Sequence, residues 1–171
     1  MPATASDIMS EEKNKEMIKV TDRMRALCSR REYCSSDIMK KAAAALDGDK
    51  VKAEEIVAVL IKEKYIDDLR YASAYARDKS SISGWGEVKI RYMLSAKGIS
   101  KDVIAEAFTE VDEGKAADRL EKLMENKARS LKSDAQARLK MIRFGMGRGY
   151  QYDEVAEVTD KIIERWKDSE S

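Results

Sequence analysis

Apolar side chains recur along this chain at three- and four-residue steps almost from end to end. Met17, Val20, Met24, Leu27 and Cys28 form one stripe, Leu120, Leu123, Met124, Ala128 and Leu131 a second, and Val155, Val158, Ile162 and Trp166 a third. Each predicts the buried face of an amphipathic helix. Sustained apolar–polar alternation is absent, and Val, Ile and Thr never gather between turn residues, which argues against a sheet. The glycines, from Gly48 through Gly84, Gly98 and Gly114 to Gly149, mostly fall where one periodic run stops and the next begins. Start signals agree with these stops. Asp67 or Asp68 precedes a helix beginning near Leu69, Ser133 with Gln136 reads as a capping box, and Ser100 sits between Ile99 and Ile104 at hydrophobic-staple spacing. About nine helices are predicted, with residues 1–11 as a flexible leader and 169–171 as a tail.

The helices group by internal similarity. At an offset of 51, Ile90, Gly98, Ile104 and Ala107 fall on Met141, Gly149, Val155 and Val158, and Lys97–Gly98–Ile99 becomes Arg148–Gly149–Tyr150. A looser copy precedes them, with Ile38, Ala42 and Leu46 in the places of Ile90, Leu94 and Gly98 and a longer loop after it. The chain therefore divides near 12–66, 67–112 and 113–168. One three-helix unit of about 50 residues buries little apolar surface, and stacking joins the small cores. The expected architecture is all-α, an elongated array of three tandem three-helix repeats.

Composition narrows the chemistry. Among 171 residues the single proline is Pro2, so nothing later forbids helix, and histidine is absent, which removes Ser-His-Asp, Cys-His and histidine-zinc schemes. Cys28 and Cys34 form no CxxC pair and have no partners for a metal set, so they read as reduced thiols in a cytosolic chain. The charged first thirty residues exclude the apolar core of a signal peptide, and no stretch approaches the length of a membrane span. Gly145–Met146–Gly147–Arg148–Gly149 lacks the preceding strand and following Gly-Lys-Ser/Thr of a phosphate cradle and reads as a helix end and turn. Asp67–Asp68 is explained by N-capping, and no base is found to activate a serine. No catalysis and no cofactor are expected.

The net charge of +1 conceals patches. Residues 13–41 carry nine basic against four acidic side chains, 77–101 six against two, and 127–148 seven against one. Residues 102–126 reverse this with three against eight, and 149–171 with three against seven. Partners would meet local basic faces. In the second unit these faces offer Arg77 and Lys79, then Lys89 and Arg91 flanking the stripe of Ile90, Met93 and Leu94, with the Lys97 stem snorkelling along it. In the third, Leu139 and Ile142 mark an inner face and leave Arg138, Lys140 and Arg143 towards solvent. Lys97–Gly98 and Arg148–Gly149 suit both a cationic last turn before a C-cap glycine and a contact role. Trp85, between Gly84 and Gly86, either fills a junction between units or stands as an exposed anchor.

The stretch from Tyr65 to Ile99 combines Tyr65–Ile66–Asp67–Asp68, Tyr71–Ala72, Gly84–Trp85–Gly86 and Leu94 through Lys97–Gly98–Ile99. This combination closely resembles the RecX family of regulators of the bacterial recombinase RecA, and Arg143–Phe144 with Arg148–Gly149–Tyr150 resembles that family's later Arg-Gly-aromatic segment. The likeness covers roughly residues 30–166. It departs at Gly145, where the repeat has a larger residue and the helix is expected to bend or end early, and at Ala42–Ala45. The resemblance implies a protein that binds the RecA filament on single-stranded DNA, with weak affinity for DNA alone; the chain is expected to be a cytoplasmic monomer without membrane contact. It implies suppression of strand exchange, ATP hydrolysis and co-protease activity, through slowed filament extension or promoted disassembly. Two rivals remain open: a protein that binds DNA directly, and a helical-repeat adaptor for an unrelated protein.

Overall fold

The computed structural model describes residues 4–170, and they form nine α-helices with no strand among them. These are α1 (Ala5–Cys28), α2 (Ser35–Ala45), α3 (Lys50–Lys62), α4 (Asp68–Ser81), α5 (Glu87–Ala96), α6 (Lys101–Phe108), α7 (Glu113–Arg129), α8 (Ala137–Gly147) and α9 (Tyr152–Glu170). The chain forms two compact units, Met1–Tyr71 and Ala72–Ser171.

In the first unit α1, α2 and α3 pack pairwise around Met24, Ile38, Ile56 and Leu60, all essentially inaccessible to water. Ala42 of α2 and Ala53 of α3 are also wholly buried there, with Ala43 and Ala45 packed beside them, so these alanines are a small-residue packing face and not a deficit of core. The longer loop closes through Asp47 and Gly48, both left-handed, before Asp49 caps α3 by accepting from the Lys52 N–H. Cys34 occupies the N-cap of α2 but offers no cap bond. Asp68 supplies one instead, its carboxylate accepting from the Ser35 N–H at 2.7 Å and the Ser35 hydroxyl at 2.6 Å. Asp67 caps α4 by accepting from the Arg70 N–H at 2.9 Å, so the adjacent aspartates serve different helices. Cys28 and Cys34 are free thiols, and burial pushes both pKa values up.

The second unit buries two sets of apolar side chains. Ala72, Ala76, Ile90, Leu94, Ile104 and Ala107 are buried along α4–α6, and Leu120, Met124, Met141, Val155 and Ile162 among α7–α9. Ser100 caps α6 through the Val103 N–H, with Ile99 and Ile104 both buried beside it. The Ile99 N–H donates to the Leu94 carbonyl past left-handed Gly98, and the Tyr150 N–H donates to the Gly145 carbonyl past left-handed Gly149. The repeat read at an offset of 51 therefore reappears as the same helix-ending bond.

Five expectations change. The leader shortens, because Thr4 and Asp7 form a capping box that starts α1 at Ala5; residues 1–3 lie outside the described residues. Most of the 169–171 tail belongs to α9, which runs to Glu170. Ser133 and Gln136 form no capping box: α8 begins at Ala137, and Asp134 accepts from the Gln136 N–H. Nor does α8 stop early. Gly145 is buried inside it, where a Cβ would lie 2.6 Å from a Val155 methyl, so the missing side chain is what lets α8 and α9 approach. Leu139 is 45% exposed; the inner face of α8 is Ala137, Met141, Ile142 and Gly145.

Candidate functional site: a lysine and tryptophan junction

Within the second unit, the loop from α4 to α5 meets the C-terminal end of α8. Gly86, the N-cap of α5, donates its N–H to the Arg148 carbonyl at 2.8 Å, and the Val88 N–H reaches the Gly149 carbonyl at 3.0 Å. The exposed donors of one helix start thus satisfy the free carbonyls of another helix end. The backbones touch. A Cβ on Gly86 would lie 2.2 Å from the Gly149 carbonyl carbon and oxygen, and one on Gly149 would lie 2.2 Å from the Lys89 Cβ. Two guanidiniums brace the loop, Arg119 donating to the Ile82 carbonyl at 3.1 Å and Arg148 to the Ser83 carbonyl at 2.6 Å.

This frame places Trp85. Its backbone N–H donates to the Lys79 carbonyl, and its half-buried ring receives two ammoniums, Lys79 Nζ at 4.7 Å and Lys89 Nζ at 4.2 Å from the centroid. Lys79 also stands 5.5 Å from the Tyr75 ring, whose phenol pKa burial pushes up. A ring quadrupole stabilises each cation by roughly 0.5–1 kcal/mol at exposed sites, without neutralising it. The junction therefore concentrates positive charge on a rigid aromatic base, able to meet phosphates or carboxylates.

The candidates separate on this geometry. Lys79, Lys89 and Arg148 converge on the junction with Trp85, Gly86 and Gly149. Arg148 turns its guanidinium into the fold, so its first role is to hold the 82–86 loop. Arg91 bonds Glu87 and lies 4.3 Å from the Phe108 ring centroid. Arg138 makes a two-pronged pair with Asp160, and Lys140 bonds Asp134 at 2.5 Å, so both heads are matched by carboxylates. Arg77 is exposed beside Asp78, and Lys97 caps α5 half-buried. Arg143 is exposed and makes no ion pair among the described residues. Leu94 and Gly98 serve the core and the end of α5.

Residues 67–107 match the family model described as RecX, second three-helix domain, and residues 115–159 match RecX, third three-helix domain. The regulatory protein RecX of Vibrio parahaemolyticus is 32% identical over 133 residues, covering 76% of this chain and 83% of that protein. The chain belongs to the RecX family. The regulatory protein RecX of Clostridium tetani is 32% identical over 119 residues, 67% of this chain but 54% of that protein, so the chain spans about half the length of the clostridial relative. A crystal structure of regulatory protein RecX shares the fold at a TM-score of 0.82, with 23% identity over 94% of this chain and 79% of that one. The RecX of Lactobacillus salivarius does so at 0.78, with 21% identity over 88% and 98%.

Two parts of this junction in the RecX-family chain escaped sequence reasoning. Arg119 lies in an acidic segment, and its only signal was its place beside Leu120 and Leu123 on the apolar border of α7. The pairing of Gly86 with Gly149 was hidden because the repeat equates Gly149 with Gly98, whereas its spatial partner belongs to a different turn.

Proposed function

We propose that this protein is a non-enzymatic modulator of RecA, mainly an inhibitor, that binds the recombinase filament on single-stranded DNA. Binding suppresses strand exchange, ATP hydrolysis and co-protease activity in recombination, repair and the SOS response. Membership of a family of regulatory proteins supports the partner, and the observation that carries the site is the pair of ammoniums held on Trp85. Lys79 and Lys89 are its centre, with Arg143 and Arg77 as outlying contacts and Arg91, Lys97, Arg138, Lys140 and Arg148 engaged within the fold first. The division into repeats at 12–66, 67–112 and 113–168 and action as a cytoplasmic monomer belong to the same proposal; no described helix is long and apolar enough to cross a membrane.

Adding the purified protein below stoichiometry to the cognate recombinase on single-stranded DNA tests this. ATP hydrolysis is expected to fall with dose, and no effect at any dose refutes the proposal. Trp85 with its lysines also has the make-up of a base-stacking platform, which favours direct DNA binding as the second reading. That reading requires tight, salt-dependent binding to naked single strands, whereas the filament reading requires it to be weak.

A further inference from the structure

Trp85 and Gly86 also line a cleft of about 840 Å³ within the second unit, reaching across α5, α6, α7 and α9. That volume lies in the range of about 300–1,000 Å³ typical of ligand sites. Its chemistry is the reverse of the lysine junction. Ile90 and Leu120, both buried, and the ring of Phe108 give it an apolar floor. Six carboxylates and only two basic side chains complete the lining among the described residues. Both bases are already engaged, Arg91 by Glu87 and Lys161 by Glu157. Glu113 and Asp118 make no ion pair among the described residues. Tyr150 is 7% exposed in the lining, and its buried hydroxyl has no hydrogen-bond partner there.

We propose that this cleft docks a lysine- or arginine-bearing segment of a protein partner. Aliphatic stems lie against the Phe108 side of the apolar floor, and cationic heads meet Glu113 and Asp118. Charge complementarity selects this occupant. A nucleic-acid strand would set phosphates against carboxylates, and an acidic or wholly apolar segment would desolvate Glu113 and Asp118 without repayment. The cleft and the lysine junction share Trp85 but present opposite charge, so one protein can hold an anionic surface and a cationic segment at once. The inference does not rest on the recombinase assignment.

The test uses the full chain carrying Trp166→Phe, which leaves Trp85 as the only tryptophan. The probe is an acetylated, amidated amphipathic peptide of leucine and lysine, with the same peptide carrying glutamate for lysine as comparison. Titrating the lysine peptide is expected to give a saturable change in Trp85 emission, while the glutamate peptide gives none. Glu113→Gln with Asp118→Asn is expected to weaken binding about five- to tenfold, and Ala105→Phe, which narrows the cleft from an exposed position, to weaken it further. Far-UV circular dichroism establishes that these variants fold. No saturable change, equal binding of the glutamate peptide or undiminished affinity in the double variant overturns the proposal. So does self-association of the free protein that Ala105→Phe abolishes, since the cleft would then belong to a second copy. Neither recombinase nor DNA is present, so failure here leaves the proposed function to its own test.

Discussion

Replacing Gly86 by serine sets two physical rules against each other. Serine is at least as good an N-cap as glycine, and the Gly86 backbone, at φ −77° and ψ 163°, is open to any L-residue. Local preference alone thus predicts a neutral or slightly stabilising change. The junction predicts the opposite, because the new Cβ would lie 2.2 Å from the Gly149 backbone and 2.3 Å from the Tyr150 nitrogen, atoms that cannot swing aside. The helix ends must separate, which sacrifices the bonds from Gly86 to Arg148 and from Val88 to Gly149. At about 0.5–1.5 kcal/mol net for each bond, the loss is about 1–3 kcal/mol, a large part of a typical domain's stability. Gly147→Ala is the comparison: nothing lies within 4 Å of its added Cβ, so it is expected to be neutral or stabilising by up to about 1 kcal/mol. Both tryptophans lie in Ala72–Ser171, so urea unfolding followed by tryptophan emission reports on the affected unit. A Gly86→Ser protein within about 0.5 kcal/mol of the parent would refute the reasoning.

Other predictions address the remaining parts of the fold and site. Asp68→Ala removes the external cap of α2 and should destabilise the first unit by about 1–2 kcal/mol in urea unfolding followed by far-UV circular dichroism; Asp68→Asn, which keeps one acceptor, should cost less. Arg25 holds the Glu63 carboxyl below its ordinary pKa through their hydrogen bonds, Lys140 does the same for Asp134, and Arg138 for Asp160. Folded pKa values below the unfolded ones mean that these pairs stabilise above the ordinary carboxylate range and lose their contribution as pH falls through the lowered values. The urea midpoint should therefore hold steady from pH 7 to about 5 and drop below about 4. Lys79→Glu with Lys89→Glu should weaken filament inhibition more than Arg138→Glu with Lys140→Glu, whose parent cations are already paired, in recombinase ATPase titrations at physiological salt.

Much of this fold was legible because it is written in local rules. Apolar stripes at helical spacing marked the buried residues of α1, α7 and α9, and Asp67, Ser100 and Gly98 ended or began helices where short-range hydrogen bonds demand it. The misses have a common origin in contacts between residues distant in sequence. Leu139 has the spacing of a core residue but is exposed, because close approach of α9 at Gly145 turns Met141 and Ile142 inward. Ser133 and Gln136 fit a capping box in spacing alone, while Asp134 made the bond. Asp68 caps a helix that starts 33 residues earlier in the chain. The same division holds at the site. Tryptophan between glycines and the basic flanks were visible, but the convergence of Lys79 and Lys89 on one ring depends on a backbone junction with Gly149. Arg148 had the sequence of a surface contact, and its place against the Ser83 carbonyl needed the third helix group to be in position.

We propose that Lys79 and Lys89, fixed on Trp85, carry the regulatory contact. Dose–response of the cognate recombinase's ATP hydrolysis on single-stranded DNA, compared between the parent and Lys79→Glu/Lys89→Glu, tests it most directly. Inhibition by the parent is expected below stoichiometry, with the curve of the folded double variant shifted at least about tenfold to higher dose, the equivalent of about 1.4 kcal/mol of lost binding. Superimposable curves would contradict it.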